Sequence, residues 1–270
     1  MSAVRPVVFF LSDYGLADEF VGVVHAVLFR LAPDLSVVDL THGVPAFDVR
    51  AGAEALARAV PHLGPGVVLA VVDPGVGSDR RSVAVRAFDG RWFVAPDNGL
   101  VVTAAEASGG VEAVVVLRKP FDAPATFDGR DVFAPAAAAL ATGASPGWMG
   151  DEVDAASLVR LPVIEVTRSD AGGRAVLRVP AAWVDRFGNV QLAAPEGEGP
   201  SAGAGQVMVR SVEAPGRELA ARRVRAFAEL EPGEVGVLAD ANGRLAVVVR
   251  EGSAAAVTGL VAGRMVELVW

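Results

Sequence analysis

Val67-Val68-Leu69-Ala70-Val71-Val72-Asp73-Pro74-Gly75-Val76-Gly77-Ser78-Asp79-Arg80-Arg81 is an aliphatic run that ends in a carboxylate, a glycine turn and two guanidinium groups. An all-aliphatic strand is one covered on both faces, as in a parallel sheet flanked by helices. In such sheets ligands gather at the carboxyl ends of the strands, and Asp73 falls at that edge. Pro74 and Gly75 stop the strand, Gly77 permits close backbone approach, and Arg80 is far enough along to fold back toward Asp73. Read alone, the segment fits either a ligand-binding loop or a turn with an exposed ion pair. It is not a Walker loop, which needs Lys-Ser or Lys-Thr where this chain has Asp79-Arg80. It is not a dinucleotide GxGxxG loop either, because the third glycine is absent.

Outward from this strand, apolar runs alternate with helical periods. Val7 to Leu11 runs into Ser12-Asp13-Tyr14-Gly15, so the first strand also ends in a carboxylate-bearing turn and Asp13 is a second site candidate. Phe20 to Leu31 has helical spacing behind Asp18-Glu19, whose charge suits a helix start. His25 within it reads as a core or interface residue. Ser36 to Leu40 is the next strand, followed by His42, which reads as a hydrogen-bonded structural residue. Val49 to Val60 is an alanine-rich helix, Ser82 to Phe88 and Trp92 to Ala95 form a hairpin about Asp89-Gly90, Val114 to Leu117 is a strand and Val132 to Ala141 a helix. This alternation predicts an α/β domain over residues 1–145. Composition changes after about Thr142: residues 143–150 are rich in Gly, Ser and Pro, and 146–162 read as a linker. Over 163–270 the helical period disappears. Strands are expected at 163–168, 175–184, 189–194, 206–212, 224–230, 235–239, 245–250 and 265–270, an antiparallel β domain of small-barrel type.

Composition narrows the function. The 270 residues carry a net charge of −8, which argues against nucleic acid as partner; Arg222, Arg223 and Arg225 are too few to reverse it. The chain has no cysteine, which removes disulfides, thiolate metal sites and cysteine nucleophiles. No apolar run approaches a membrane span and the N-terminus lacks a leader's apolar region, so the expectation is a cytoplasmic protein without a membrane partner.

Six fragments follow one another in an order that resembles a known family: Ser12-Asp13-Tyr14-Gly15, Thr41-His42-Gly43-Val44-Pro45, Val72-Asp73-Pro74-Gly75-Val76-Gly77-Ser78, Ala95-Pro96-Asp97-Asn98-Gly99-Leu100, Thr126-Phe127-Asp128-Gly129-Arg130-Asp131-Val132-Phe133-Ala134-Pro135 and Asp185-Arg186-Phe187-Gly188-Asn189. Together they resemble the S-adenosyl-L-methionine hydroxide adenosyltransferases, hydrolytic relatives of the bacterial fluorinase and chlorinase. The resemblance implies an α/β N-terminal domain with a mostly parallel sheet and a β-barrel C-terminal domain. It also implies a homotrimer with active sites between subunits, and cleavage of S-adenosyl-L-methionine by water, attacking ribose C5′, to adenosine and L-methionine. By the same resemblance Asp13 holds the ribose hydroxyls, Asp185 the methionine amino group, and Phe187 and Asn189 the adenine side. Ala241-Asn242-Gly243 falls where relatives grip the methionine carboxylate, and since Ala241 brings no hydroxyl, Asn242 or backbone amides would substitute; Ser253 falls in a run near the adenine. Asp73 and Arg80 match two members of the family's Asp-Arg-His set that handles the water, and that pair favours hydroxide over halide.

The third member differs: Asp128 stands where the family has His in its TFHGRD motif. If Asp128 points into the site, two carboxylates share one arginine and one carboxylate pKa rises toward neutrality. Otherwise it leaves a weak enzyme or a binding protein. In the hydrolytic scheme Arg80 stabilises developing hydroxide while Asp73 orients the water and accepts its proton, with no metal or cofactor required. Asp97 and Asn98 read as turn builders, and Arg130 and Asp131 as caps of the following helix. Two other functions are open: a non-enzymatic S-adenosyl-L-methionine or adenosine binder, and a metal-dependent phosphohydrolase using Asp13, Asp73, Asp97, Asp128 and Asp131 as oxygen ligands.

Overall fold

The computed structural model describes residues 5–213 and 218–270, which divide into two compact units at Leu161/Pro162. The first unit runs β1 (Val7–Ser12), α1 (Phe20–Leu31), β2 (Ser36–Thr41), α2 (Val49–Ala59), β3 (Val67–Val71), β4 (Ser82–Ala87), β5 (Trp92–Pro96), α3 (Val102–Ala107), β6 (Val111–Leu117), α4 (Ala134–Ala141) and β7 (Gly150–Val153). Its sheet has the order β2-β1-β3-β5-β4-β6-β7. The first four strands are parallel, and β4 and β7 run against their neighbours. The sheet is therefore mostly parallel, and β3 is buried along its whole length, as its aliphatic sequence requires.

Because side chains alternate across a strand, Val8, Phe10, Val67, Leu69, Val71 and Val94 share one face, where they pack on α1 and α4. On α2 a side chain at Gly52 would meet Leu100 Cδ1 at 2.8 Å and Val72 at 3.0 Å, so only glycine admits that close approach to the sheet. The parallel register pairs Ser12 with Val71. Asp13 and Asp73, just past those residues, thus leave the same edge of the sheet.

Two expectations for this unit need correction. Residues 146–162 are not a free linker: β7 pairs with β6, and Val159 N donates to Asp97 Oδ1 at 2.9 Å. The helix expected over 132–141 begins earlier, as a π-helical turn Gly129–Phe133 that continues into α4. Arg130 and Asp131 lie in that turn and pair with each other at 2.7 Å, where caps were expected.

The second unit comprises β8 (Thr167–Asp170), β9 (Ala175–Val184), β10 (Val190–Pro195), β11 (Gln206–Ser211), β12 (Glu218–Arg223), β13 (Val235–Ala239), β14 (Arg244–Val249), α5 (Ala254–Thr258) and β15 (Met265–Val269). The order β9-β10-β14-β13-β12-β11-β15 returns to β9, closing a seven-stranded barrel with β8 appended to β9. Every pairing is antiparallel except β12 with β13. Leu177, Leu192, Val209, Val237, Leu245 and Leu268 are among the side chains that fill it.

The strand expected at 224–230 is instead a single 3₁₀ turn at Phe227–Glu229, and the strand lies at 218–223. Arginines conceal its alternation: Arg223 occupies a buried position, where Nε donates to Pro200 O at 3.0 Å and Nη2 pairs with Glu196. The strand expected from 163 starts at Thr167, with Val163 exposed.

Candidate active site

Above the shared edge of β1 and β3 lies a pocket of about 400 Å³, walled by Asp13, Tyr14, Phe47, Asp73, Phe127 and Asp128 among others. Tyr14, Phe20 and Phe127 form one side, their rings packed edge-on or tilted at centroid separations of 5.4–5.8 Å. Asp13 Oδ2 accepts from the backbone N–H of Phe47 at 2.9 Å, and Phe47 holds a left-handed backbone, φ 68°. Gly129 is fixed by the same wall, because a side chain there would meet the Tyr14 hydroxyl at 2.1 Å. Gly77 in the Asp73 loop has φ 80°, and a side chain there would meet the Ala125 carbonyl at 2.8 Å, so that loop lies against the strand of chain leading to Asp128.

Four charges form a chain, of which Asp73 and Asp128 line the pocket and Arg80 and Lys119 lie behind them. Arg80 donates to both oxygens of Asp73, from Nε to Oδ1 at 3.0 Å and from Nη2 to Oδ2 at 2.5 Å. Nη2 also donates to Asp128 Oδ2 at 2.8 Å, and Nη1 donates to Arg81 O at 2.9 Å and to Ser82 Oγ at 2.8 Å. A guanidinium has five N–H donors, and all five are used. Lys119 Nζ then donates to Asp128 Oδ1 at 2.5 Å. The side chains of Asp73, Arg80 and Asp128 are each less than one-tenth exposed. Two carboxylates and two cations balance formally, as buried charges must.

Every Arg80 donor is thus engaged by protein, two of them on Asp73. Each Asp73 oxygen keeps capacity to accept another hydrogen. Burial pushes the Asp73 carboxyl above the usual range; Arg80 opposes this by charge and hydrogen bonding, and the Asp128 charge adds to the rise. Burial, together with the charges of Asp13, Asp73 and Asp128, likewise raises the Tyr14 phenol, which stays protonated.

In the barrel unit, Asp185, Phe187 and Asn189 occupy the turn between β9 and β10. Asp185 Oδ1 accepts from the backbone N–H groups of Phe187 and Asn189 at 2.9 Å each, and Oδ2 accepts from Asn189 Nδ2 at 2.8 Å. The two side chains assigned to opposite ends of the ligand therefore touch. Phe187 is largely exposed. Ser253 caps α5, its Oγ accepting from Ala256 N at 3.1 Å, and it abuts Gly188 of the same turn. Asn242 is not with them. It lies in the β13–β14 turn, at the other end of β14, where Gly243 O accepts from Glu196 N at 2.9 Å. The six residues of β14 separate it from Ser253 by about 20 Å.

The remaining acidic candidates are not gathered. Asp97 is held by Arg81, with Nε donating at 2.8 Å, and Asn98 Nδ2 donates to Val72 O at 2.8 Å, so both tie down the turn as expected. With Asp73 and Asp128 on Arg80, Asp97 on Arg81 and Asp131 on Arg130, four of the five proposed phosphohydrolase ligands face guanidinium groups, which disfavours a cation among them. Lys119, Tyr14, Phe47 and Phe127 were given no role by sequence reasoning. Tyr14 and Phe127 stood inside the quoted motifs, whereas nothing around Lys119 pointed to Asp128.

Residues 8–150 match the SAM hydroxide adenosyltransferase N-terminal domain and residues 181–267 the corresponding C-terminal domain. The chain is 46% identical over 265 residues to an (R)-S-adenosyl-L-methionine hydrolase of Salinispora tropica, covering 97% of each chain. It is 42% identical over 280 residues to one of Thermus thermophilus, covering 98% of this chain and 99% of that one. The crystal structure of an uncharacterized conserved protein from Thermotoga maritima superposes with a TM-score of 0.85 at 32% identity, covering 97% and 99% of the two chains.

Proposed function

The chain belongs to the S-adenosyl-L-methionine hydroxide adenosyltransferase family, and from that premise we propose that it hydrolyses S-adenosyl-L-methionine to adenosine and L-methionine. The observation that carries the reading is Asp73, held by the buried Arg80 behind it, lining an aromatic-walled pocket of nucleoside size. An anionic nucleophile meeting a sulfonium cancels charge as the bond forms, so bulk water, which favours the separated ions, opposes the step and an enclosed site helps it. Asp73 orients one water behind C5′ and takes its proton; its raised pKa makes it the stronger base of that kind. Arg80 fixes the carboxylate, and positioning of this sort lowers a barrier by about 7 kcal/mol in favourable cases. Asp13 receives the ribose hydroxyls through Oδ1, since Oδ2 already accepts from Phe47 N.

In the barrel, Phe187, Asn189 and Ser253 take the adenine side; Asn242, at the far end of the buried strand β14, is the weakest of the assignments. Asp185 keeps the assignment to the amino group only by accepting a further donor beside Asn189. The reading includes a homotrimer sharing sites between copies, no cofactor and a cytoplasmic setting. Among the described residues, no helix is long and apolar enough to cross a membrane. Chromatography of S-adenosyl-L-methionine incubated with the protein, with chloride and fluoride as rival nucleophiles, is expected to give adenosine and methionine alone. A 5′-halogenated nucleoside, or unchanged substrate, contradicts the reading.

A further inference from the structure

On the edge strand β2, outside the pocket, two of the chain's three histidines converge on one carboxylate. His25 Nε2, from α1, is 2.8 Å from Asp39 Oδ1, and His42 Nε2 is 3.1 Å from the same oxygen. The three ligand atoms lie within 4.8 Å of one another. Phe10 closes the inner side, its ring centroid 6.0 Å from that of His25 and 4.6 Å from that of His42. Asp39 and His25 open the outer side to solvent.

We propose that His25, Asp39 and His42 bind one divalent transition-metal ion of the zinc class, with water completing the coordination. Two imidazoles and a carboxylate with an open position are a donor set zinc accepts. Tetrahedral zinc sets such donors about 3.3 Å apart at the usual bond lengths, so the spacings of 2.8 and 3.1 Å need little opening.

The second observation comes from His42 itself. It is 6% exposed, and its buried Nε2 is aimed at Asp39 Oδ1, 3.1 Å away, outside good hydrogen-bond alignment. Its other nitrogen, Nδ1, lies 2.8 Å from the fully buried Ser12 Oγ. In the tautomer whose Nδ1–H donates to Ser12, the Nε2 lone pair faces the carboxylate and a cation bridges the two; in the other tautomer Nε2–H points at Asp39 and no ion is needed, so zinc binding selects the first. A metal-bound imidazole usually donates its distal N–H to an oxygen acceptor such as a carboxylate, a backbone carbonyl or water, and Ser12 Oγ is placed to accept here. The His42 carbonyl accepts from Gly15 N at 2.8 Å, so an ion here anchors the loop that carries Asp13.

Equilibrium dialysis of the full chain against zinc ion alone tests this, with His62→Ala as a control because His62 is exposed and elsewhere. We expect one zinc per chain, affinity lowered at least about tenfold in His25→Ala and in Asp39→Asn, and no change in His62→Ala. Both affected side chains are partly exposed, so those variants keep the fold, which circular dichroism verifies. Absence of stoichiometric zinc in the wild-type chain, or equal affinity in His25→Ala, overturns the proposal and leaves the cluster a hydrogen-bonded support.

Discussion

Arg80 has its whole donor set satisfied by protein, and the proposed mechanism accordingly gives it the part of a clamp and gives proton transfer to Asp73. Asp73→Asn is expected to lower turnover by about 10²-fold or more while leaving substrate affinity near wild type, which stopped-assay kinetics and calorimetry together check. Since burial, and secondarily Asp128, raise the Asp73 pKa against the pull of Arg80, the wild-type rate should fall on the acid side through a pKa above the ordinary aspartate value. A pH–rate profile measures it, and a profile flat down to the ordinary value contradicts the assignment. The sequence made this pair readable, seven residues apart across a glycine turn. It could not show Lys119, which reaches Asp128 from an unrelated loop. That contact answers the question raised by the missing histidine: Asp128 is inside the site and held by two cations. Lys119→Met leaves Asp128 with Arg80 alone, and is expected to reduce adenosine release while Asp128→His does not raise it. No measurable turnover in the native chain, with a gain in Asp128→His, sinks this reading.

At the scale of elements, the π-helical turn Gly129–Phe133 brings Asp128 and Tyr14 into one wall, and Gly129 is the position that allows it. Gly129→Ala is expected to destabilise the chain by about 1–3 kcal/mol through overpacking. Adding Tyr14→Phe should recover much of this, because the nearest remaining atom is then 3.2 Å away; denaturant melts of the single and double variants decide it. The elements of the first unit were legible because aliphatic strands and helical periods carry their own signal. The π turn was not, since it is a departure within a helix-forming stretch. In the barrel, β12 was missed because Arg223 occupies an inward position, and α5 because five residues are too few to show a period. The Asp185–Asn189 turn stood out by its glycine and acidic residue, yet its internal hydrogen bond, which joins two residues assigned to opposite ends of the ligand, is a tertiary fact no spacing reveals.

For the whole molecule, the acidic balance and the two-unit organisation were legible in composition and in the loss of helical period beyond residues 143–150, though the units divide later, at Leu161/Pro162. Catalytic and adenine-side candidates lie on different units, so the trimer with shared sites proposed above has a direct consequence. Coexpressing an Asp73→Asn chain with an Asn189→Ala chain should restore part of the activity each lacks alone, since some sites then combine two intact halves. A mixture no more active than either variant removes the shared site. The central claim, that Asp73 directs a water to the sugar carbon, is tested most directly by hydrolysis in ¹⁸O-labelled water with mass analysis of both products. The account predicts one labelled oxygen in the 5′-hydroxyl of adenosine, unlabelled methionine, and loss of the labelled product in Asp73→Asn; unlabelled adenosine, or label in methionine, would contradict it.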